Sequence, residues 1–186
     1  MPGSGGRRIK TSIGEIVSVG DGGAGGEGGS HRTDKAHERT GAGTEAVSNY
    51  EESTFEVFID GCSKGNPGKS GAGYLIRIED LVIEEGSRYL GITTNNQAEY
   101  RALLLALERC RALGIRSIKV KSDSQLMVNQ VNGSYRVRNE GLMPLYNEAL
   151  SRLAGFDHYR LDYIGRENNR EADKLADLAL KDRGKR

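Results

Sequence analysis

Apolar and polar positions alternate along residues 55–61, 71–79 and 81–90, and this two-residue period predicts three β-strands. The first strand has one apolar face, made of Phe55, Val57 and Ile59. Phe58 and Asp60 fall on its opposite face. The second and third strands are separated by a very short connection, which favours an antiparallel hairpin.

The hydrophobic period changes to that of an α-helix at residue 96. Apolar side chains then recur every three or four positions as far as residue 113, and Gly114 provides a stop signal. The later segments, in chain order, are strand 117–123, helix 124–132, helix 142–154, strand 158–164 and helix 169–182. The order β-β-β-α-β-α-α-β-α predicts an α/β fold. Its mixed five-stranded sheet has three antiparallel strands followed by parallel ones, with helices on its faces.

The composition of the chain changes after residue 52. Of the 26 glycines, 13 lie in residues 1–50, where the run GGAGGEGG occupies residues 22–29 and large apolar side chains are few. Such a segment cannot bury enough apolar surface to offset the entropy that is lost on ordering. We therefore predict a disordered tail over residues 1–52 and one folded domain over residues 53–183.

Charge and cysteine content narrow the functional class only a little. The net charge is +1, so the charge balance alone neither indicates nor excludes nucleic-acid binding. Cys62 and Cys110 show neither metal-ligand spacing nor a disulfide framework, which is typical of a reducing compartment. The chain has no apolar run of the roughly 18 residues that a transmembrane helix needs, and no signal-peptide pattern near its start. We expect a monomeric, cytoplasmic protein without membrane contact.

Four acidic residues stand beside predicted core positions. They occupy the end of the first strand, the first turn of the first helix, the end of the fourth strand and the terminal helix: Asp60, Glu99, Asp123 and Asp173. Carboxylates near a core are unfavourable unless they are paired or bind a metal, and no Lys or Arg is an obvious partner for all four. An oxygen-rich cluster of this kind suits Mg²⁺.

A structural role explains each acid when it is taken alone. Asp123 and Asp173 would then complement the positive ends of helix dipoles, and acids at strand ends are common. The four acids together favour a shared site, because the predicted topology brings all of them to one edge of the sheet. Both interpretations remain open on the residues alone.

A glycine-rich segment at residues 63–68, followed by Lys69 and Ser70, comes close to a phosphate-binding P-loop. The P-loop pattern needs glycine where the chain has Ser63, and it needs a helix where a strand is predicted. We therefore reject the hypothesis that the protein is a P-loop nucleoside triphosphatase. The segment is predicted to be a hairpin turn stiffened by Pro67, with backbone N–H groups that suit a sugar–phosphate backbone.

Four segments, in order and spacing, resemble the successive signature segments of ribonuclease H type 1. They are D-G-x-x-x-G-N-P-G (60–68), T-T-N-N-x-A-E (93–99), S-D-S-Q (122–125) and R-E-x-N-x-E-A-D-x-L-A (166–176). The resemblance covers about residues 54–181. It is closest to the compact prokaryotic and plant-like branch, whose members carry V-N-Q-V-N-G-x-Y, here residues 128–135.

The resemblance implies a ribonuclease H-like fold and an endonuclease that hydrolyses the RNA strand of RNA–DNA hybrids. The family uses two Mg²⁺ ions, with Mn²⁺ as a substitute, and leaves 5′-phosphate and 3′-hydroxyl ends. By this likeness Asp60 bridges both ions, and Glu99 and Asp123 hold the ion on the leaving-group side. Asp173 would hold the ion that activates water.

The same resemblance implies contacts between polar groups of the protein and the hybrid. Some of these groups read 2′-hydroxyls in the minor groove, and Thr94 is expected to bind a phosphate of the DNA strand. The candidates are Gly61, Ser63, Asn66, Thr94, Asn95, Asn96, Gln97 and Asn169. The structural alternative is helix capping for Asn95 and turn formation for Asn66.

The chain departs from many family members in two places. The loop before the last acid lacks their histidine, and Arg166 is expected to replace it, although a plain surface cation is the alternative. The long basic protrusion of some bacterial members is also absent. Residues 132–141 replace it, with three candidates for phosphate contact or for a solvated rim: Tyr135, Arg136 and Arg138.

Other protein classes fit the sequence less well. A non-catalytic hybrid-binding module on the same fold predicts the loss of at least one acid, whereas all four are present. Integrases and resolvases share an acidic cluster, but the G-N-P-G and T-N-N-x-A-E segments argue against them. A detached reverse-transcriptase ribonuclease domain would stand behind a polymerase. By family likeness, we expect a single ribonucleotide embedded in DNA to be a poor substrate.

Overall fold

The computed structural model describes residues 54–181 of the 186-residue chain. Within these residues five strands and four helices follow the predicted order. The strands are β1 (Phe55–Gly65), β2 (Gly68–Ile78), β3 (Leu81–Thr93), β4 (Ser117–Ser122) and β5 (His158–Tyr163). The helices are α1 (Asn95–Ala112), α2 (Gln125–Val131), α3 (Met143–Leu153) and α4 (Arg170–Lys181). A short 3-10 turn, Arg166–Asn168, precedes α4.

The sheet has the strand order β3-β2-β1-β4-β5. The β1–β2 and β2–β3 pairs are antiparallel, whereas β1–β4 and β4–β5 are parallel. This arrangement confirms the predicted α/β fold with a mixed five-stranded sheet. Because β4 lies beside β1 and runs parallel to it, the ends of these two central strands meet at the same edge.

The first hairpin is longer than predicted. We expected a turn over residues 63–68, but β1 continues to Gly65 and β2 begins at Gly68, which leaves a two-residue turn. Glycine and serine have low strand propensity, and here pairing between the strands overrides it. The rejection of the P-loop is consistent with this finding, since a strand and not a helix follows the segment.

The two faces of the sheet have different cover. On one face, α1, α2 and α3 enclose the main core, to which β1 contributes Val57 and Ile59. On the other face, Phe58 of β1 and Leu75 of β2 pack with Ala172 of α4. The alternation predicted for β1 is therefore confirmed, and Asp60 has the strand parity of Phe58.

Helix α4 lies unusually close to β2. A Cβ atom added to Gly73 would lie 2.4 Å from the Ala176 nitrogen and 2.6 Å from the Ala172 oxygen, and one added to Gly71 would lie 2.3 Å from the Ala176 oxygen. The helix presents small buried residues to these glycines: Ala172, Ala176 and Ala179. The short distance between α4 and the sheet depends on Gly71 and Gly73 of β2, because these residues have no side chain. The position of Asp173 on α4 depends on it as well.

A polar cluster joins β2, β3 and α1 at the other side of the molecule. Tyr74 Oη donates to Glu84 Oε1 at 2.6 Å, and Arg109 binds the same carboxylate at 2.7 and 2.9 Å. The hydrogen bond from Arg109 lowers the pKa of Glu84, and the one from Tyr74 acts in the same direction. The side chain of Glu84 is only 14% exposed, so solvent screens this pair less than a surface pair.

Among the described residues, no helix is long and apolar enough to cross a membrane. The tail predicted over residues 1–52 lies outside the described residues.

We predict that Gly73→Ala lowers the free energy of unfolding by about 2 to 3 kcal/mol, because its methyl group would overlap backbone atoms of α4. Urea unfolding followed by circular dichroism measures the change. Gly155→Ala is the matched control, since its added Cβ would lie no closer than 3.3 Å to another atom. Equal effects of the two substitutions would contradict the close α4–β2 contact.

We also predict a pH-dependent effect of Glu84→Gln. The folded-state pKa of Glu84 is below its usual value, so ionised Glu84 stabilises the fold above the unfolded pKa. That contribution is lost as the pH falls through the folded pKa. The variant should lose about 2 kcal/mol at about pH 7 and approach the wild type under strongly acidic conditions. Exposed Glu85→Gln serves as the control, and a constant difference across the pH range would refute the assignment.

Candidate active site

Four elements bring the four predicted acids around one cavity of about 310 Å³. Asp60 comes from β1, Glu99 from α1, and Asp123 from the residue that follows β4. Asp173 comes from the first turn of α4. The described lining residues also include Gly61, Cys62, Asn95, Ser124, Gln125, Leu126 and Arg166.

Three of the acids form a tight cluster. One carboxylate oxygen from each of Asp60, Glu99 and Asp123 lies within 4.8 Å of the others. Asp60 and Glu99 are 5% and 6% exposed, whereas Asp123 is half-buried. Asp173 stands outside this set of three but lines the same cavity. The arrangement matches the prediction that one sheet edge collects all four carboxylates.

Gly61 allows α1 to lie directly against β1. A Cβ atom at this position would be 2.2 Å from the carbonyl carbon of Ala98 and 2.3 Å from the nitrogen of Glu99. The Gly61 N–H donates to Glu99 Oε2 at 3.1 Å. Gly61 therefore positions Glu99 in two ways: it lets α1 approach β1, and its N–H holds the carboxylate. We had predicted Glu99 in the first turn of this helix, but α1 begins at Asn95, so Glu99 is its fifth residue and lies just beyond that turn.

The electrostatics of the cluster are unfavourable without a cation. Burial, followed by the charges of Asp123 and Asp173, raises the pKa of Asp60 to about 7. Burial and the charges of Asp60 and Asp123 raise the pKa of Glu99 well above its usual value. Several hard oxygen donors that repel one another in a small cavity fit a divalent cation such as Mg²⁺, which removes this repulsion.

Arg166 supplies one positive charge at the rim of the cavity. Its Nη2 lies 3.1 Å from Asp173 Oδ1, and its side chain is 80% exposed. The charge of Arg166 also lowers the pKa values of Asp60 and Glu99, although less than burial raises them. Arg166 therefore lies beside Asp173 at the cavity, and its part as the substitute for the missing histidine stays a prediction.

The predicted substrate residues at the start of α1 divide into two groups. Asn95 and Asn96 are exposed. The side chains of Thr94 and Gln97 form a capping box, because Thr94 Oγ1 accepts from the Gln97 N–H and Gln97 Oε1 accepts from the Thr94 N–H. Gln97 Nε2 also donates to the Gly141 carbonyl at 3.3 Å. Gln97 thus binds the protein itself through both ends of its amide.

The tip of the first hairpin is tied to the start of α1. Asn66 Oδ1 accepts from the Asn95 N–H at 3.2 Å, and Ser63 Oγ donates to the Thr93 carbonyl at 3.0 Å. These bonds give both side chains a structural role beside the predicted one. Asn66 is exposed, and Ser63 is partly buried.

The structure does not support the predicted substrate contact of Asn169. This residue is only 1% exposed, so a bound hybrid cannot reach its side chain. Its Nδ2 donates to the Ile59 carbonyl at 2.9 Å and to Asp123 Oδ1 at 2.8 Å. The residue lies in the turn between two exposed neighbours, which is why its sequence position suggested exposure.

Sequence analysis missed Cys62 as a residue of the cavity wall. Its Sγ lies 3.9 Å from Asp177 Oδ1, and burial raises the pKa of its thiol to about 11. The thiol is therefore protonated near neutral pH. The sequence did contain a signal for this position, because residues two apart on a strand share a face and Cys62 follows Asp60 by two residues. Ser124 and Gln125 were signalled by the S-D-S-Q segment.

Comparison with known proteins agrees with this geometry. A family model described as reverse transcriptase-like matches residues 58–179. The chain is 37% identical over 127 residues to ribonuclease HI of Halobacterium salinarum, covering 68% of this chain and 64% of that protein. It is 36% identical over 126 residues to the bifunctional protein Rv2228c of Mycobacterium tuberculosis, covering 67% and 35%. The chain thus spans less than two thirds of either relative.

Solved structures give the same result. The crystal structure of RNase H1 from Halobacterium salinarum superimposes with a TM-score of 0.68 at 36% identity, covering 69% of this chain and 98% of that one. The structure of LC11-RNase H1 in complex with an RNA/DNA hybrid gives a TM-score of 0.66 at 32% identity, with coverages of 69% and 98%.

These matches define the chain as a reverse transcriptase-like domain with the ribonuclease H fold. It belongs to the ribonuclease H type 1 family, as the four sequence segments predicted.

We predict that Asp60→Asn stabilises the metal-free protein, because it removes one of three repelling carboxylates. In EDTA at about pH 8, where Asp60 is ionised, the variant should melt about 3 °C or more above the wild type. Added Mg²⁺ or Mn²⁺ should raise the melting temperature of the wild type more than that of the variant.

Exposed Asp80→Asn is the control for this measurement, since it removes the same charge far from the described cluster. A lower melting temperature of Asp60→Asn in EDTA would show that Asp60 stabilises the fold, and would argue against a strained metal site.

Proposed function

We propose that this chain is an endoribonuclease that hydrolyses the RNA strand of RNA–DNA hybrids and leaves 5′-phosphate and 3′-hydroxyl ends. The observation that carries the proposal is the cluster of three carboxylates within 4.8 Å beside a fourth in the same cavity. The relative solved with an RNA/DNA hybrid supports the choice of substrate.

The four acids would hold two divalent ions, Mg²⁺ or Mn²⁺ in its place. Asp60 would contact both ions, Glu99 and Asp123 the first, and Asp173 the second. Bound there, the ions supply the positive charge that stabilises the attacking and leaving oxygens of the phosphodiester. The raised pKa values of Asp60 and Glu99 support this assignment, because a bound cation would offset the burial and the repulsion that disfavour their ionised forms.

Arg166 would bind phosphate and would not transfer protons. A guanidinium stays protonated at all physiological pH values, so it cannot act as a general acid or base. Its hydrogen bond to Asp173 holds the carboxylate, and its exposed side chain remains accessible to a phosphate oxygen. We therefore assign two roles to Arg166. It orients the carboxylate of Asp173, and it attracts the phosphate at which the RNA is cleaved.

The hybrid would lie across the start of α1. Asn95 and Asn96 are exposed there, next to the cavity, and can pair with 2′-hydroxyls and base edges. The hydroxyl of Thr94 accepts from the Gln97 N–H and can still donate its own proton to a phosphate oxygen. The loop of residues 132–141 reaches the same area through the bond between Gln97 and Gly141. Its exposed Tyr135, Arg136 and Arg138 extend the contact surface.

The test is cleavage of an end-labelled RNA–DNA hybrid by the full chain. We expect cutting of the RNA strand only, with Mg²⁺ and not with EDTA, and products that a ligase accepts after alignment on a DNA splint, as 5′-phosphate and 3′-hydroxyl ends require. Asp60→Asn should reduce the rate by more than about 100-fold, since even partners outside the metal shell contribute up to that factor.

Double-stranded DNA and double-stranded RNA are the substrate controls, and Asp80→Asn is the protein control. If the wild type binds the hybrid but never cuts it with Mg²⁺ or Mn²⁺, the catalytic proposal fails. A non-catalytic hybrid-binding module would then describe the protein.

A further inference from the structure

Asn169 is a buried amide at the base of the acid cluster, and neither substrate nor metal accounts for it. It is 1% exposed, whereas both its neighbours, Asn168 and Arg170, are exposed. An amide side chain at this depth is unfavourable unless its hydrogen bonds matter.

Asn169 contacts three of the elements that carry the acids. Its Nδ2 donates to the carbonyl of Ile59, the residue before Asp60, at 2.9 Å, and to Asp123 Oδ1 at 2.8 Å. Its backbone carbonyl accepts from the Asp173 N–H at 3.0 Å, which is the first helical bond of α4. One residue thus connects β1, the end of β4 and the start of α4.

Chemistry determines the orientation of this amide. The Ile59 carbonyl and an ionised Asp123 only accept hydrogen bonds, so the Nδ2 group must face them and Oδ1 must point away. Among the described residues, Asn169 Oδ1 is buried without a hydrogen-bond partner. The two hydrogen bonds made by Nδ2 must therefore offset the free-energy cost of burying Oδ1 without a partner. This indicates that the Nδ2 donor is the essential part of the side chain.

A neutral donor suits Asp123 better than a cation would. The carboxylate of Asp123 follows the end of β4 and is only half-buried, so its plane is free to rotate unless something holds it. Lysine or arginine at position 169 would hold the carboxylate but would also neutralise it. An amide restrains the rotation and leaves the negative charge available to a cation.

We propose that Asn169 is a positioning residue that orients the Asp123 carboxylate toward the ion it shares with Asp60 and Glu99. This inference rests on the proposed function in that it assumes a divalent ion at the cluster. It predicts that the amide of Asn169 governs the affinity for the metal, separately from the stability of the fold.

Two substitutions separate positioning from packing. Asn169→Ala removes the amide and leaves a void, whereas Asn169→Leu keeps nearly the same shape and also removes the unpartnered oxygen. We expect both variants to bind Mn²⁺ at least about tenfold more weakly than the wild type, measured by calorimetry on the full chain without nucleic acid. Melting in EDTA should show Asn169→Leu to be more stable than Asn169→Ala.

Asn168→Ala is the matched control, because it removes the same side chain from the adjacent exposed position. In hybrid cleavage at limiting metal, the Asn169 variants should lose rate and recover part of it at high Mn²⁺, while Asp123→Asn should not recover. Mn²⁺ binding by Asn169→Leu within twofold of the wild type would overturn the proposal.

A measurement on the wild type covers the case in which neither variant folds. Nuclear magnetic resonance should show that the side-chain amide protons of Asn169 exchange far more slowly with solvent than those of Asn168, and that they shift when Mg²⁺ is added. Equal exchange rates would overturn the proposal. If the wild type binds Mn²⁺ but does not cleave the hybrid, the proposed function fails while the role of Asn169 is still decided by binding.

Discussion

Mutual repulsion among carboxylates is the constraint on which the rest of the structure depends. Three acids with oxygens within 4.8 Å of one another, two of them almost fully buried, would separate or become protonated if their backbones were free to move. The fold prevents separation because each acid belongs to a different element of one rigid sheet-and-helix frame. The repulsion therefore stays within the site, and a bound divalent cation would relieve it.

Glycine residues hold this cluster together, because the backbones of neighbouring elements can come close where a residue has no side chain. Gly61 allows α1 to contact β1, and Gly71 and Gly73 allow α4 to contact β2. These three positions set the distances between the elements that carry Glu99, Asp60 and Asp173. Hydrogen bonds then adjust the carboxylates themselves, through the backbone of Gly61 and through the amide of Asn169.

The sequence predicted the element order, the strand pairing and the four acids, because periodicity reports directly on which side of an element faces the core. It could not predict the exact end of the first hairpin, where pairing overrides the low strand propensity of Ser63 and Gly65. Nor could it distinguish a residue that touches substrate from one that supports the site. Asn169 and Gln97 lie within recognisable segments, and only their hydrogen-bond partners reveal that both act on the protein itself.

The order of the acids along the chain has a consequence for biosynthesis. The first three are made before residue 124, but the fourth stands on α4, which also covers the far face of β1 and β2. A nascent chain that has emerged only as far as β5 therefore carries Asp60, Glu99 and Asp123, but neither Asp173 nor the helix that packs on Gly71 and Gly73 of β2. Under the proposed function, the chain would gain its fourth metal-binding acid and the helix that packs on this face of the sheet in the same step of synthesis, when residues 170–181 emerge.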